Sequence, residues 1–338
     1  MKRIIASLAV LLMLTIATPV VAANMDFSGK VETEVAYGEE FSGLYDFNLS
    51  ASLGQNLKAG MSFGSEEDVP FPWNEYNVGI KGLWLESNGA LIPGTPEFVT
   101  RIGTLNANYS DFIAKSIKTT GISVDQFSMG PVTLGGYYSL NSDSHLDRGA
   151  YLKVTPVDGI EAQGTIVKAN EELSYAVEAT VRPLEQAEIT GAFAAVDQGA
   201  QAYRVNGSYE LLEGVQVRAG YQDIPTGFAP AHINTDTDVI AKGTGFTTGA
   251  TVNRFGFEVK GDYADYNKTI DYSIGRTLTL AGLDFDTKLE GDFNVETTDV
   301  GELEASVAYN APNGLELAVG YDLINNQPSV SAGMNLQF

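Results

Sequence analysis

The stretch from Leu283 to Val295 reads LDFDTKLEGDFNV. Its charges fall at every second position: Asp284, Asp286, Lys288, Glu290 and Asp292, with Leu283, Phe285, Leu289, Phe293 and Val295 on the alternate register. A strand sends successive side chains to opposite faces, so this spacing gathers four carboxylates on one face. Carboxylates crowded around confined water attract mobile cations and repel anions. The same spacing puts Glu32, Glu34 and Asp46 on polar faces near the amino terminus, then Glu178, Glu258 and Asp262, and finally Glu302, Glu304, Glu316 and Asp322. Fewer bases share these faces: Lys30, Lys58, Lys260 and Lys288, with Arg182, Arg204 and Arg218 in the middle third. In a rolled sheet the basic and acidic walls could face each other. Alternatively each Arg pairs nearby, as Arg182 with Glu178.

Other chemistry finds little support. There is no Cys, which excludes thiol catalysis and Cys-based metal sites. Of the two His, His145 sits among Ser142, Asp143, Ser144 and Asp147 in LNSDSHLDRG, where turn residues are expected anyway. Neighbours in sequence seldom form a catalytic set, so no enzyme is expected. Asn234, Asp236 and Asp238 alternate like calcium ligands but lack the rest of a calcium loop. GTGFTTG, 243–249, lacks the Lys of a phosphate loop. No cofactor or metal is expected. The formal net charge is −23, which argues against nucleic acid as a partner.

The elements that must position these charges are strands. Alternation recurs in FSGKVETEVAY (27–37), YDFNLSASL (45–53), LSYAVEATV (173–181), VQVRAGY (215–221), FGFEVKGDY (255–263), LEASVAY (303–309) and LELAVGYDL (315–323). Turn formers such as NAPNG and NNQP separate them. Before the first strand, Lys2 and Arg3 precede an apolar run and then small residues up to Ala23, the form of a cleaved export signal over 1–23. The mature chain, 24–338, then holds 338 − 23 = 315 residues and, with two bases removed, a charge of 18 − 43 = −25. Strands of about 9–11 residues suit a tilted crossing of a bilayer, and the length allows roughly 16–18 of them.

Alternation alone also fits a soluble sandwich, whose apolar faces pack together. Three features favour a membrane barrel. The amino terminus has the form of an export signal. Small residues (Ala51, Gly191, Ala195, Ala219, Ala305, Ala332) stud the apolar faces. Aromatic residues recur at strand ends, at Phe27, Tyr37, Tyr109, Tyr209, Tyr221, Tyr263, Tyr309 and Tyr321, as in interfacial girdles. The expected fold is all-β, a transmembrane antiparallel up-and-down β-barrel.

The last ten residues, SVSAGMNLQF, alternate strictly and end on Phe338. In a closed barrel this strand pairs with the first one, so it is no edge. A signal, alternating strands and a final amphipathic strand ending in Phe resemble bacterial outer-membrane β-barrel proteins, porins in particular. The resemblance implies that Phe338 is read by the outer-membrane assembly machinery, that outer-membrane lipid surrounds the barrel, and that one long loop folds inside. The stretch 222–249, the longest without clear alternation, is the expected inward loop. It also suggests a homo-oligomer. Only Asn24 to Asp26 precede the first strand, so no plug domain is expected. The implied function is a water-filled, cation-preferring channel for small hydrophilic solutes in the bacterial outer membrane. The alternative is a structural or receptor-type barrel with a closed pore.

Overall fold

A computed structural model of the chain describes residues 24–337, apart from 37–41, 54–55, 65–68, 71–78, 90–95, 116, 141–146, 170, 198, 231–239 and 313. For 24–36, 42–46, 69–70 and 335–337 it describes the backbone alone. The signal segment, His145, His232, Asn234, Asp236, Asp238, Tyr37 and Phe338 lie outside the described residues or side chains.

The described chain is built of strands: β1 (Asn24–Ala36), β2 (Ser42–Ser52), β3 (Leu57–Gly64), β4 (Val69–Pro70), β5 (Gly79–Gly89), β6 (Phe98–Ala107), β7 (Ile117–Met129), β8 (Val132–Ser139), β9 (Arg148–Val157), β10 (Ile160–Ala169) and β11 (Glu172–Leu184). There follow β12 (Ala187–Val196), β13 (Gln201–Leu212), β14 (Val215–Ile224), β15 (Gly243–Arg254), β16 (Phe257–Ala264), β17 (Thr269–Leu280), β18 (Leu283–Asn294), β19 (Asp299–Asn310), β20 (Leu315–Asp322) and β21 (Gln327–Gln337). Each long strand pairs antiparallel with its sequence neighbours. The short β4 pairs only with β2, beyond the end of β3. Without it, the 21 strands of the single sheet leave 20 side by side among the described residues.

Closure follows from the ends. β1 pairs with β2 on one side and, from Ser28↔Gln337 to Ala36↔Ser329, with β21 on the other. The terminal strand therefore offers no free edge, and every strand but the short β4 finds two hydrogen-bonding neighbours. The count exceeds the expected 16–18 because of the region between residues 97 and 160. There β6 to β9 carry apolar residues on both faces, for example Leu105, Ala107 and Ile117 inside, which blurs the period-two signal.

The two ends of the barrel differ. Two-residue turns at 130–131, 158–159, 185–186, 213–214, 255–256 and 281–282 close one end. Phe255–Gly256 and Ala281–Gly282 have φ of 55° and 73°, and 54° and 81°, the positive pair that a type I′ hairpin requires. The longer connections 108–116 and 225–242 leave the opposite end.

Register separates the faces. Across β14 to β18 the paired positions Val215↔Val252, Val252↔Val259, Val259↔Ile274 and Ile274↔Leu289 form one apolar row. Leu83, Ile102, Val177, Val205, Val307 and Val319 continue such rows elsewhere and are exposed. An apolar belt this extensive would be strongly unfavourable in water, which identifies it as the lipid-facing surface. The largest buried cluster lies instead on the opposite face, inside the barrel, around residues 109–114.

Candidate functional site: the lumen and its inward segment

Residues 108–115, between β6 and β7, turn into the barrel. The turn is closed by Tyr109 N–H donating to the Ala114 carbonyl (2.9 Å) and Ala114 N–H donating to that of Ser110 (3.0 Å). The Ser110 hydroxyl accepts the Phe112 N–H at 3.2 Å. The apolar run Phe112-Ile113-Ala114 is thereby presented to the wall and is fully buried there. Its partners are small or aliphatic inward residues: Ala176, Ala194, Ala202, Val167 and Ile224. Phe228, from the 225–242 connection, meets the Phe112 ring edge-on at 6.1 Å. Water is excluded from this half of the wall by ordinary core packing.

Polar anchors fix the segment at both ends. Arg204 of β13 lies 3.6 Å from Asp111 and 5.0 Å above the Phe112 ring. The Tyr109 carbonyl accepts from Thr165 Oγ1 (3.0 Å) and from Gln163 Nε2, both on β10. The Tyr109 hydroxyl donates to Asp125 of β7 at 2.8 Å. Burial first, then the Asp125 charge, pushes the Tyr109 hydroxyl well above its ordinary pKa. Tyr109 thus belongs to the inward segment and not to an interfacial girdle, as its place at a strand end suggested. Of the stretch 222–249, residues 222–224 and 243–249 belong to β14 and β15, 231–239 lie outside the described residues, and Phe228 packs inward against the 108–115 segment.

The wall across from this segment is acidic. Register sets Asp262, Asp271 and Asp292 directly opposite one another on three consecutive strands, β16 to β18. Glu290, Glu304 and Asp322 form a second row on β18 to β20. Neighbouring strands are about 4.8 Å apart, so each row crowds like charges, which is destabilising on its own. Asp262, Asp271, Glu290, Asp292, Glu302 and Glu304, with Lys260, line one hollow of about 650 Å³. The sequence reading had missed Asp271, although Thr269, Asp271 and Ser273 alternate onto the polar face.

The remaining expected residues are placed as follows. Asp284 and Asp286 accept from Thr279 and Thr277, each at 2.6 Å, near the 281–282 turn. Glu258 stands opposite Asn253 and Gly275, and Glu316 opposite Asn310 and Gly333. Glu32, Glu34 and Asp46 occupy the β1 and β2 positions paired with Leu44, Ser42 and Lys30. Each of the three arginines has an acid partner. Arg182 meets Glu188 at 2.7 Å rather than Glu178, Arg204 meets Asp111, and Arg218 makes a two-pronged contact with Asp262 at 2.8 and 3.0 Å. These arginines are thus neutralised locally; within the acidic rows Asp262 is held by Arg218 and Glu290 by Lys288 (2.6 Å), whereas Asp271, Asp292 and Glu304 face further carboxylates across the ladder. Among the described residues no group of three His, Asp or Glu is arranged to hold a metal ion.

No protein-family model and no curated protein matches the chain. Solved structures do. Pseudomonas aeruginosa OpdQ superposes with a TM-score of 0.53 at 10% identity, covering 94% of this chain and 98% of its own. The outer membrane protein OprD from the same organism gives 0.53 at 9%, with 94% of each chain covered. OccK3 (OpdO) of Pseudomonas aeruginosa gives 0.51 at 14%, over 94% and 96%. At such low identity the likeness is one of fold, that of a porin-like outer-membrane barrel.

Proposed function

We propose that this chain is a porin-like channel of the bacterial outer membrane, passing small hydrophilic solutes with a preference for cations. The observation that carries this is the asymmetry of the lumen. The inward segment fills the wall of β10 to β14, and the space left is bounded by the two acidic rows of β16 to β20. Paired like charges are costly unless counter-ions occupy the space, so the rows recruit cations. Asp262, Asp271, Glu290, Asp292, Glu302 and Glu304 form the pore lining in this reading. Asp284, Asp286, Glu258 and Glu316 lie at the short-turn mouth, where the turns face the periplasm. Residues 1–23 direct export, Phe338 marks the last strand for the assembly machinery, and lipid covers the apolar belt.

The closed-barrel reading has one observation behind it, the fully buried Phe112-Ile113-Ala114 run inside the lumen. One experiment separates the two. The mature chain, refolded into a planar bilayer under a salt gradient, is expected to conduct with a cation-selective reversal potential. A silent bilayer would leave the closed barrel, and an anion-selective current would remove the acidic rows from the conducting path.

A further inference from the structure

Under the inward segment lies a second compartment. A niche of about 620 Å³ opens between Asn108, Tyr109 and the inner wall of β5 to β10, a size suited to a small ligand. We infer that this niche takes a neutral polyhydroxylated solute of disaccharide size, an inference that rests on the channel reading above.

Charge is balanced there. The lining holds Arg101 and Lys153 against Glu86 and Asp125. Each is already engaged: Arg101 with Glu86 (3.8 Å), Lys153 with Glu161 (2.7 Å), and Asp125 with the Tyr109 hydroxyl (2.8 Å). An ionic solute must break one of these pairs to gain a contact, and a neutral one need not. The acidic hollow differs: Lys260 and six carboxylates line it, and of these acids Asp262 is paired with Arg218 and Glu290 with Lys288, which leaves an acidic excess.

What the niche offers freely is hydroxyl and amide chemistry. Ser128 and Thr133 face each other at 3.0 Å, and each hydroxyl keeps capacity for a further hydrogen bond. Asn108 and Gln126 add amide groups. The Nε of Arg101 is a buried donor with no protein acceptor, and a solute hydroxyl oxygen would satisfy it without disturbing Glu86. The backbone is also modified here. The β7–β8 register shifts between Val124 and Phe127, and Gln126 sits at φ 60°. Simple alternation would send Asp125 and Gln126 to opposite faces, yet both line the niche. A bulge held at a costly backbone angle re-aims a side chain, which fits a binding site.

The test uses sucrose as the probe, with glycine betaine at equal osmolality as the zwitterionic comparison. In a conducting wild-type channel, sucrose should produce brief partial blockades and betaine should not. Ser128→Ala with Thr133→Val should cut blockade frequency about tenfold by removing two hydroxyl contacts. Gln126→Glu, which adds an unpaired charge to the lining, should act in the same direction. Equal blockade by betaine, no blockade by sucrose, or unchanged blockade in both variants would overturn the niche assignment. Absence of any current in plain salt would strike the channel reading itself, and the niche with it.

Discussion

Tyr109 links the inward segment to the wall through its side chain and its carbonyl. Its raised pKa gives the segment a defined response to pH. An ordinary tyrosine ionises near pH 10, whereas this one resists, because its anion would be buried beside Asp125. Below about pH 10 both the anchored and the released forms are neutral, so the anchoring is fully present. Above it the released form gains by ionising, and anchoring weakens as pH rises. Single-channel traces should therefore be steady from neutral pH to about pH 10 and become noisy above it. Tyr109→Phe should be noisy at every pH. The lost bond leaves the Asp125 carboxylate short of a donor, at a cost of about 1–3 kcal/mol. Quiet traces from the variant would show that the carbonyl contacts alone hold the segment. Arg204 acts beside it through Asp111 and the Phe112 ring, a pair too exposed to contribute more than about 1 kcal/mol.

Two elements lend themselves to direct tests. The 255–256 hairpin needs positive φ at Gly256, where a Cβ would meet open space. Gly256→Val therefore isolates the conformational cost, about 1–2 kcal/mol, from any steric one. It should lower the barrel's urea midpoint with the m-value unchanged. An equal midpoint would mean that the turn relaxes to another type. The last strand, β21, closes the ladder on β1 through residues up to Gln337. Phe338 lies outside the described residues; as a targeting signal, its deletion should cut outer-membrane levels in cells while the purified, refolded barrel keeps its heat-modifiable gel mobility. Loss of both would assign Phe338 to folding and not to targeting.

For the molecule as a whole, the acidic rows set a field that salt can screen. Neutralising four carboxylates together (Asp271→Asn, Asp292→Asn, Glu302→Gln, Glu304→Gln) should reduce cation selectivity most at low salt. There the Debye length is about 30 Å, against about 3 Å near 1 M. Reversal potentials for wild type and variant should converge as salt rises. A difference that persists at 1 M would point to direct ion coordination and not to a diffuse field. The fold shared with OpdQ and OprD at 9–10% identity illustrates the same scale. Hydrogen-bond closure and an apolar belt are what the architecture demands, and many sequences supply both.

Period-two alternation fixed by itself which side of each strand is polar; strand length and the aromatic strand ends, not alternation, favoured a bilayer over a soluble sandwich. Leu283 to Asn294 needed nothing more, because its two faces meet different solvents and its residue types sort accordingly. The terminal strand's partner was legible for a similar reason, since an amphipathic last strand must pair somewhere. Tertiary structure alone decided the rest. Asp262, Asp271 and Asp292 become neighbours only through register, which no local pattern encodes. The arginines found their partners the same way: Glu188 one strand away, Asp111 on the inward segment and Asp262 two strands on. The inward segment itself was hidden because Phe112-Ile113-Ala114 is short, and because the inner wall it covers is apolar. Where a lumen is packed like a core, both strand faces lose the contrast with water from which a sequence is read.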